Sequence, residues 1–286
     1  MPGWTTSYMG FNLEPGVSRR AATEALLELA FSSLSCAHLE LWDRHLPLSD
    51  VEGLGFDQTP WHGVEVDLRA TEEEILARMK GSARTCIRQA ARRGVTVEEA
   101  DDPGFADDLH AQLEDVFAKQ SLVPPYGPER IRALLREVHP SGHLLLLRAR
   151  DPSGKCIGTG VFPAANRTMH FLAGASWRSD QKLRPNEAMM WHAMRYWKAR
   201  GIERCDLGGH MSYKRKYGVE DVRLPLLRRS RSRPVAGLRN LAGSAFQARQ
   251  RLIGRLRSSA TVPDEASERL PGLPLNGPAA KPPPGR

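Results

Sequence analysis

Between His143 and Leu207 the sequence alternates in a way that leaves few architectures open. Three extended segments, His143–Arg150, Lys155–Phe162 and Thr168–Ala175, are joined by the hairpin-like connections Asp151-Pro152-Ser153-Gly154 and Ala164–Arg167. A long helix over Asn186–Arg200 follows. Ala188, Met189, Trp191, Ala193, Met194 and Trp197 give it a broad apolar face, and Gly201 closes it. The chain then reads as a strand over Ile202–Leu207, a short helix over Met211–Tyr217 and a last strand over Arg223–Arg228. Upstream lie a strand at Val95–Glu99 and helices at Phe105–Lys119 and Glu129–Val138, the helices separated by the rigid turn Pro124–Pro128. Strands and helices interleaved in this order predict an α/β (α+β) fold with a central sheet flanked by helices.

The first third of the chain is less regular. A helix is predicted over 18–34, with its start signal at Ser18, and extended segments over Ala37–Trp42 and Val64–Leu68. The stretch Pro47–Pro60 between them, punctuated by Gly53, Gly55 and Pro60, reads as a loop. Thr71 followed by Glu72, Glu73 and Glu74 is a helix start, its carboxylates facing the positive end of the helix dipole. That helix is predicted to stop at Gly81. A second, over Ser82–Arg93, ends at Gly94.

Apolar residues make up 41% of the 286 positions, enough to bury a core. The longest apolar run, Leu144–Leu147, is far short of the roughly 18 residues a membrane span requires. The beginning of the chain does not read as a secretory signal, and Cys36, Cys86, Cys156 and Cys205 lie far apart, with no histidine at metal-ligand spacing. The expectation is a reduced, cytoplasmic protein without a metal site. The net charge is +8, and its distribution is uneven. Residues 222–263 hold ten arginines and no Asp or Glu, whereas residues 1–221 hold 28 basic against 30 acidic side chains. Such an asymmetry points to an anionic partner, either a phosphate backbone or an acidic membrane surface, and a solvated basic face is the plainer alternative. Within that segment, residues 237–257 interleave leucines with arginines as a basic amphipathic helix, and could hold the protein at the inner face of an anionic membrane. The proline-rich stretch 258–286 is predicted to be disordered.

Three stretches carry a resemblance: Arg84-Thr85-Cys86-Ile87-Arg88-Gln89-Ala90 ahead of Gly94-Val95, Pro185-Asn186-Glu187 opening the long helix that leads to Cys205-Asp206-Leu207-Gly208-Gly209, and Tyr213-Lys214-Arg215-Lys216-Tyr217-Gly218. Together they resemble the Fem-type branch of the GNAT acyltransferases, the aminoacyltransferases and their BioF-associated acetyltransferase-like relatives, across about residues 60–230. The resemblance implies a GNAT-like mixed sheet. It also implies a shortened N-terminal GNAT-like domain over 1–93, a complete one over 94–230, and the basic helix over 231–257 after them. The implied reaction is amide formation between an amine acceptor and an activated acyl donor, with no tightly bound cofactor.

That reaction needs a donor for a developing oxyanion and an acceptor for the ammonium proton. Lys214 is the candidate for the first, by resemblance to the family's motif lysine. For the second the candidates are Asp206, which could equally fix its loop by accepting backbone N–H bonds, and His210; His192 is a weaker one. Tyr213 and Tyr217 either stack on the donor or pack under the sheet. Acyl-CoA enzymes of this fold open the long helix with a glycine-rich turn that brings backbone N–H groups to a pyrophosphate. This chain has Gln181-Lys182-Leu183-Arg184-Pro185-Asn186-Glu187 there, without glycine and with a carboxylate. CoA is therefore disfavoured, although Arg184, Asn186 and Lys182 could contact phosphate from outside the turn. Aminoacyl-tRNA is the favoured donor, and a stripe of Lys80, Arg84, Arg88 and Arg92 is expected on one face if the helix runs through Gly81. An acyl-CoA-dependent N-acyltransferase acting on a small amine or envelope sugar is the alternative. A non-catalytic RNA- or membrane-surface-binding protein is a third reading.

Overall fold

A computed structural model describes residues 10–118, 122–124 and 126–258. In chain order the elements begin with α1 (Arg19–Glu28), β1 (His38–Leu41), β2 (Asp57–Asp67), α2 (Glu72–Arg78), α3 (Gly81–Arg92), β3 (Thr96–Glu99), α4 (Phe105–Ala118) and α5 (Pro128–Glu137). They continue with β4 (Leu144–Arg150), β5 (Cys156–Ala165), β6 (Thr168–His170), β7 (Ala173–Ser176), α6 (Pro185–Lys198), β8 (Arg204–Gly209), β9 (Glu220–Ser230) and α7 (Arg233–Ser258). The proline-rich stretch expected to be disordered lies, beyond Ser258, outside the described residues.

The chain divides into two units. Of the described residues, one takes those up to His62 together with Val222–Arg249, the other Gly63–Asp221 with Gln250–Ser258. In the first unit β1 pairs antiparallel with β9, from His38 opposite Ser230 to Leu41 opposite Leu227. Leu41, Leu46, Val51 and Leu227 form its small core, and Trp42 packs edge-on to Trp61 beside Leu224 and Leu226. The loop expected over Pro47–Pro60 is shorter than its punctuation suggested, because β2 already begins at Asp57. Only Gly53 and Gly55, at φ +78° and +71°, turn the chain. Pro60 sits inside the strand, where a residue without N–H is tolerated if no ladder bond needs it.

In the second unit the strands run in the order β2–β8–β6–β5–β4–β3, with β7 beside β5. β6 and β8 pair in parallel, whereas β2 with β8, β3 with β4, β4 with β5, β5 with β6 and β5 with β7 pair antiparallel. The parallel pair is bridged by α6, whose Met189, Met190, Ala193, Met194 and Trp197 bury against the sheet. The Trp197 indole N–H donates to the Phe162 carbonyl at 3.0 Å, so the largest side chain of the layer is anchored to β5 as well as packed on it. On the other side α4 and α5 cover β4 and β5 through Phe105, Leu109, Leu113 and Ile131. Arg148 on β4 reaches Asp102 and Asp108 at that layer's rim.

Two further expectations change. The stretch 168–175 is not one strand: β6 leaves β8 after His170, and Ala173–Ser176 pairs with β5 alone. The helix also does not run through Gly81. Met79 and Lys80 are extended, at ψ 146° and 148°, so α2 ends and α3 starts afresh, and Lys80 cannot share a helical stripe with Arg84, Arg88 and Arg92. The joint is closed from two directions. The Arg84 guanidinium donates to the carbonyls of Ala77 and Met79 at 2.9 and 2.8 Å, and the Lys80 N–H donates to the Lys216 carbonyl at 2.9 Å. This is where the glycine that ends the aromatic-lysine motif matters. Gly218 has φ +71°, and a Cβ there would stand 2.8 Å from the carbonyl carbon and oxygen of Arg78. Gly218→Ala is therefore expected to lose about 2–3 kcal/mol of stability in denaturant titration, and a loss below about 0.5 kcal/mol would refute this tight closure.

Candidate functional site

The site begins with an irregularity in β8. Gly63 and Glu65 of β2 stand opposite Gly209 and Asp206, so the one residue between them on β2, Val64, faces two on β8, Leu207 and Gly208, and β8 carries the extra residue. Gly208 takes the left-handed conformation there, φ +74°, which suits a glycine bulge. The Asp-Leu-Gly-Gly sequence thus builds a bulge at the end of a strand. A bulge takes carbonyls out of the ladder, and buried carbonyls need donors. Lys214 supplies them: its Nζ donates to the Leu207 carbonyl at 2.5 Å and to the Gly209 carbonyl at 3.2 Å. The short 3₁₀ turn Ser212–Tyr217 carries the lysine back over the bulge, and the side chain is only 6% exposed. Burial pulls its pKa down to about 8, with Asp206 and Cys205 opposing the shift.

Beside the bulge, three titratable side chains stand in a row across three strands. Glu65 on β2 is opposite Asp206 on β8, and Asp206 is opposite His170 on β6. Register partners share a face of the sheet, about 5 Å apart from strand to strand. The alternate residues Val66, Cys205 and Met169 turn to the other face and join the core under α6. Glu65 and Asp206 are buried, whereas His170 remains about one-third exposed. Asp206 Oδ1 accepts the Gly208 N–H at 2.6 Å, and Oδ2 faces His170 Nδ1 at 3.3 Å, an ion-pair distance. With the carboxylate beside Nδ1, a proton is favoured there and Nε2 is left as the acceptor nitrogen of the neutral ring. The row ends where β6 and β7 part from β8, the kind of opening at which α/β sheets collect ligands.

The start of α6 stands over β7. Asn186 Nδ2 donates to Ser176 Oγ at 3.0 Å. Arg184, the N-cap, is itself left-handed at φ 68°, and Pro185 is the first helical residue. Glu187 is buried and paired with Lys216 Nζ at 2.5 Å. The first turn of this helix therefore carries one of the protein's own carboxylates.

The other expected residues are scattered. Tyr213 is partly exposed beside Lys214, whose Nζ lies 5.7 Å from its ring centroid. Tyr217 is buried in the core under α6. His210 sits at the surface with Arg215 and Asp221. His192 lies in a shallow depression on α6 with Glu72, Arg195 and Tyr196, its pKa lowered by burial. Arg84 is committed to the carbonyls at the end of α2, and Arg88 and Arg92 are exposed on α3. His170 and Glu65 went unnoticed in the sequence. Each is a polar residue at an alternating strand position, and only the strand order brings them to Asp206. Among the described residues no cluster of His, Cys, Asp and Glu could hold a metal ion.

Residues 77–215 match the family described as Acetyltransferase (GNAT) domain. Among solved structures the chain is similar to "Crystal structure of FemX", with a TM-score of 0.63 and 13% identity over 72% of this chain and 76% of that one. It is also similar to the C-terminal domain of a putative lysylphosphatidylglycerol synthetase from Agrobacterium fabrum, with a TM-score of 0.56 and 14% identity over 75% of each chain. The third is L-PGS from Bacillus licheniformis, with a TM-score of 0.54 and 14% identity over 77% of this chain and 76% of that one. No curated protein matches the sequence.

The lowered pKa of Lys214 has a consequence for stability. In the folded chain the amine loses its proton near pH 8, against an ordinary value of 10.5. Between those values the unfolded chain binds more protons, so this group's destabilising charge is fully felt below pH 8 and fades as the pH rises to 10.5. Relative to Lys214→Met, the wild-type protein should gain on the order of 1–3 kcal/mol between pH 7 and 10.5 in urea titrations. A constant difference across that range would contradict the assignment.

Proposed function

We propose that this chain, whose residues 77–215 match an acetyltransferase (GNAT) domain, is an acyltransferase that moves an aminoacyl group from aminoacyl-tRNA to an amine, on a peptidoglycan precursor or a chemically similar acceptor. The observation that carries the choice of donor is the occupied end of α6. Pro185 removes one N–H, Arg184 caps the helix in a left-handed conformation, and Glu187, paired with Lys216, puts a carboxylate in the first turn, where negative charge works against a pyrophosphate. A donor whose phosphates lie outside that turn suits this arrangement better. Exposed Arg88 and Arg92 on α3 and Lys182 before α6 offer cations to such a polyanion. The end of α3 adjoins Lys182, whose carbonyl accepts from Arg93.

In the reaction the acceptor nitrogen attacks the ester carbonyl carbon, a C–N bond forms, and the bond to the ribose oxygen breaks. His170 takes the proton of the attacking nitrogen at Nε2, while Asp206 holds the ring and balances the imidazolium, and that proton then passes to the leaving ribose oxygen. Lys214 offers positive charge to the carbonyl oxygen as it becomes an oxyanion. The second reading, an acyl-CoA donor, draws on the end of the β6–β8 pairing at His170, beyond which β7 pairs with β5.

The two readings separate when the protein is incubated with a charged tRNA pool and candidate amines, and in parallel with acyl-CoA, with products read by mass. Transfer from tRNA alone is expected; transfer from acyl-CoA alone would reverse the choice. His170→Gln should lower kcat by about 10²–10⁴ with KM little changed. Full activity in that variant would remove the proton-transfer role.

A further inference from the structure

Helix α7 presents two faces that differ in kind. Val235, Ala236, Arg239 and Phe246 are half-buried, with the Arg239 guanidinium paired to Glu40. At about 100° per residue these positions fall on one side of the helix. Leu238, Leu241, Ala245, Ala248 and Leu252 recur at intervals of three and four on the opposite side, and all are exposed. The three leucines are 68%, 67% and 58% exposed, among the largest exposures of apolar side chains in the described residues. Exposed Arg233 and Arg249 lie to either side of this stripe. The whole segment from Val222 to Pro263 holds ten arginines and no carboxylate side chain.

We propose that this face of α7 lies on an anionic lipid surface, with the leucines in the acyl boundary and the arginines at the phosphates. Three features select a bilayer over other occupants. A nucleic acid would use the arginines but would leave the leucine stripe in water, since phosphate contacts carry that kind of binding. A second copy of the chain would bring arginine against arginine with no acidic residue on the helix to pair them. A lipid interface satisfies both the apolar stripe and the unbalanced charge at once. Gly237 and Gly243 lower the helix propensity in water, so the helix gains further from being held at an interface.

The test uses the full chain and sedimentation with vesicles of phosphatidylcholine alone or mixed with phosphatidylglycerol. Binding to the mixed vesicles is expected, with weak binding to phosphatidylcholine. The double variant Leu238→Glu, Leu241→Glu alters only exposed positions and should keep its circular dichroism spectrum and denaturation midpoint. Its partitioning to mixed vesicles should fall at least ~10-fold. Three results would overturn the proposal: no sedimentation of the wild-type chain with mixed vesicles at low salt; equal binding of the double variant, which would make the face a general polyanion surface; or a leucine-dependent dimer in solution that does not bind vesicles. The readout does not involve acyl transfer, so it stands or falls apart from the donor and the site residues.

Discussion

The ammonium of Lys214 on the carbonyls of Leu207 and Gly209 is the interaction around which the rest of the site is arranged. A bulge in an interior strand strips carbonyls of their ladder partners, and an unpaired buried carbonyl costs about as much as a lost hydrogen bond. The lysine removes that cost but brings a charge into a buried place, which is why its pKa falls to about 8. The two penalties offset one another. The result is a cation fixed in position and close to the pH at which it can give up its proton.

That arrangement also explains the neighbouring carboxyl. Asp206 fixes the bulge through the Gly208 N–H, the loop-fixing one of the two readings its sequence position allowed, and its other oxygen faces His170. Glu65, Asp206 and His170 keep one face of the sheet polar, while the residues between them complete the apolar layer under α6. A sheet with a dry face beneath its crossover helix and a polar face at the parting of two strands can hold a reactive group rigidly without giving up its core.

Much of the fold was legible in the residues. The interleaving of strands with apolar-faced helices predicted the layered architecture, and the capping signal at Thr71 placed the start of α2 correctly, with a capping box to Glu74. The Lys80–Arg92 stripe was misjudged because helical spacing says nothing about a break, and Met79 and Lys80 are extended. The single strand expected over 168–175 failed for a related reason: alternation continues through Phe171 and Leu172 even where the partner changes from β8 to β5 alone. At the candidate site, Lys214 and Asp206 stood out because they sit in short polar motifs flanked by glycine. His170 did not, because one histidine in a strand looks like any other until its neighbour is known.

The sequence by itself determined the local elements, the uneven charge, the amphipathic α7 and the glycines that turn the chain, because each depends on the periodicity or conformational freedom of nearby residues. Tertiary structure alone decided that Glu65, Asp206 and His170 share a row, that Lys214 is buried on a bulge, and that Lys216 neutralises Glu187 at the start of α6. Those facts depend on which strands pair and in what register. Pairing between segments more than a hundred residues apart is fixed by the packing of the whole sheet and leaves no local signature.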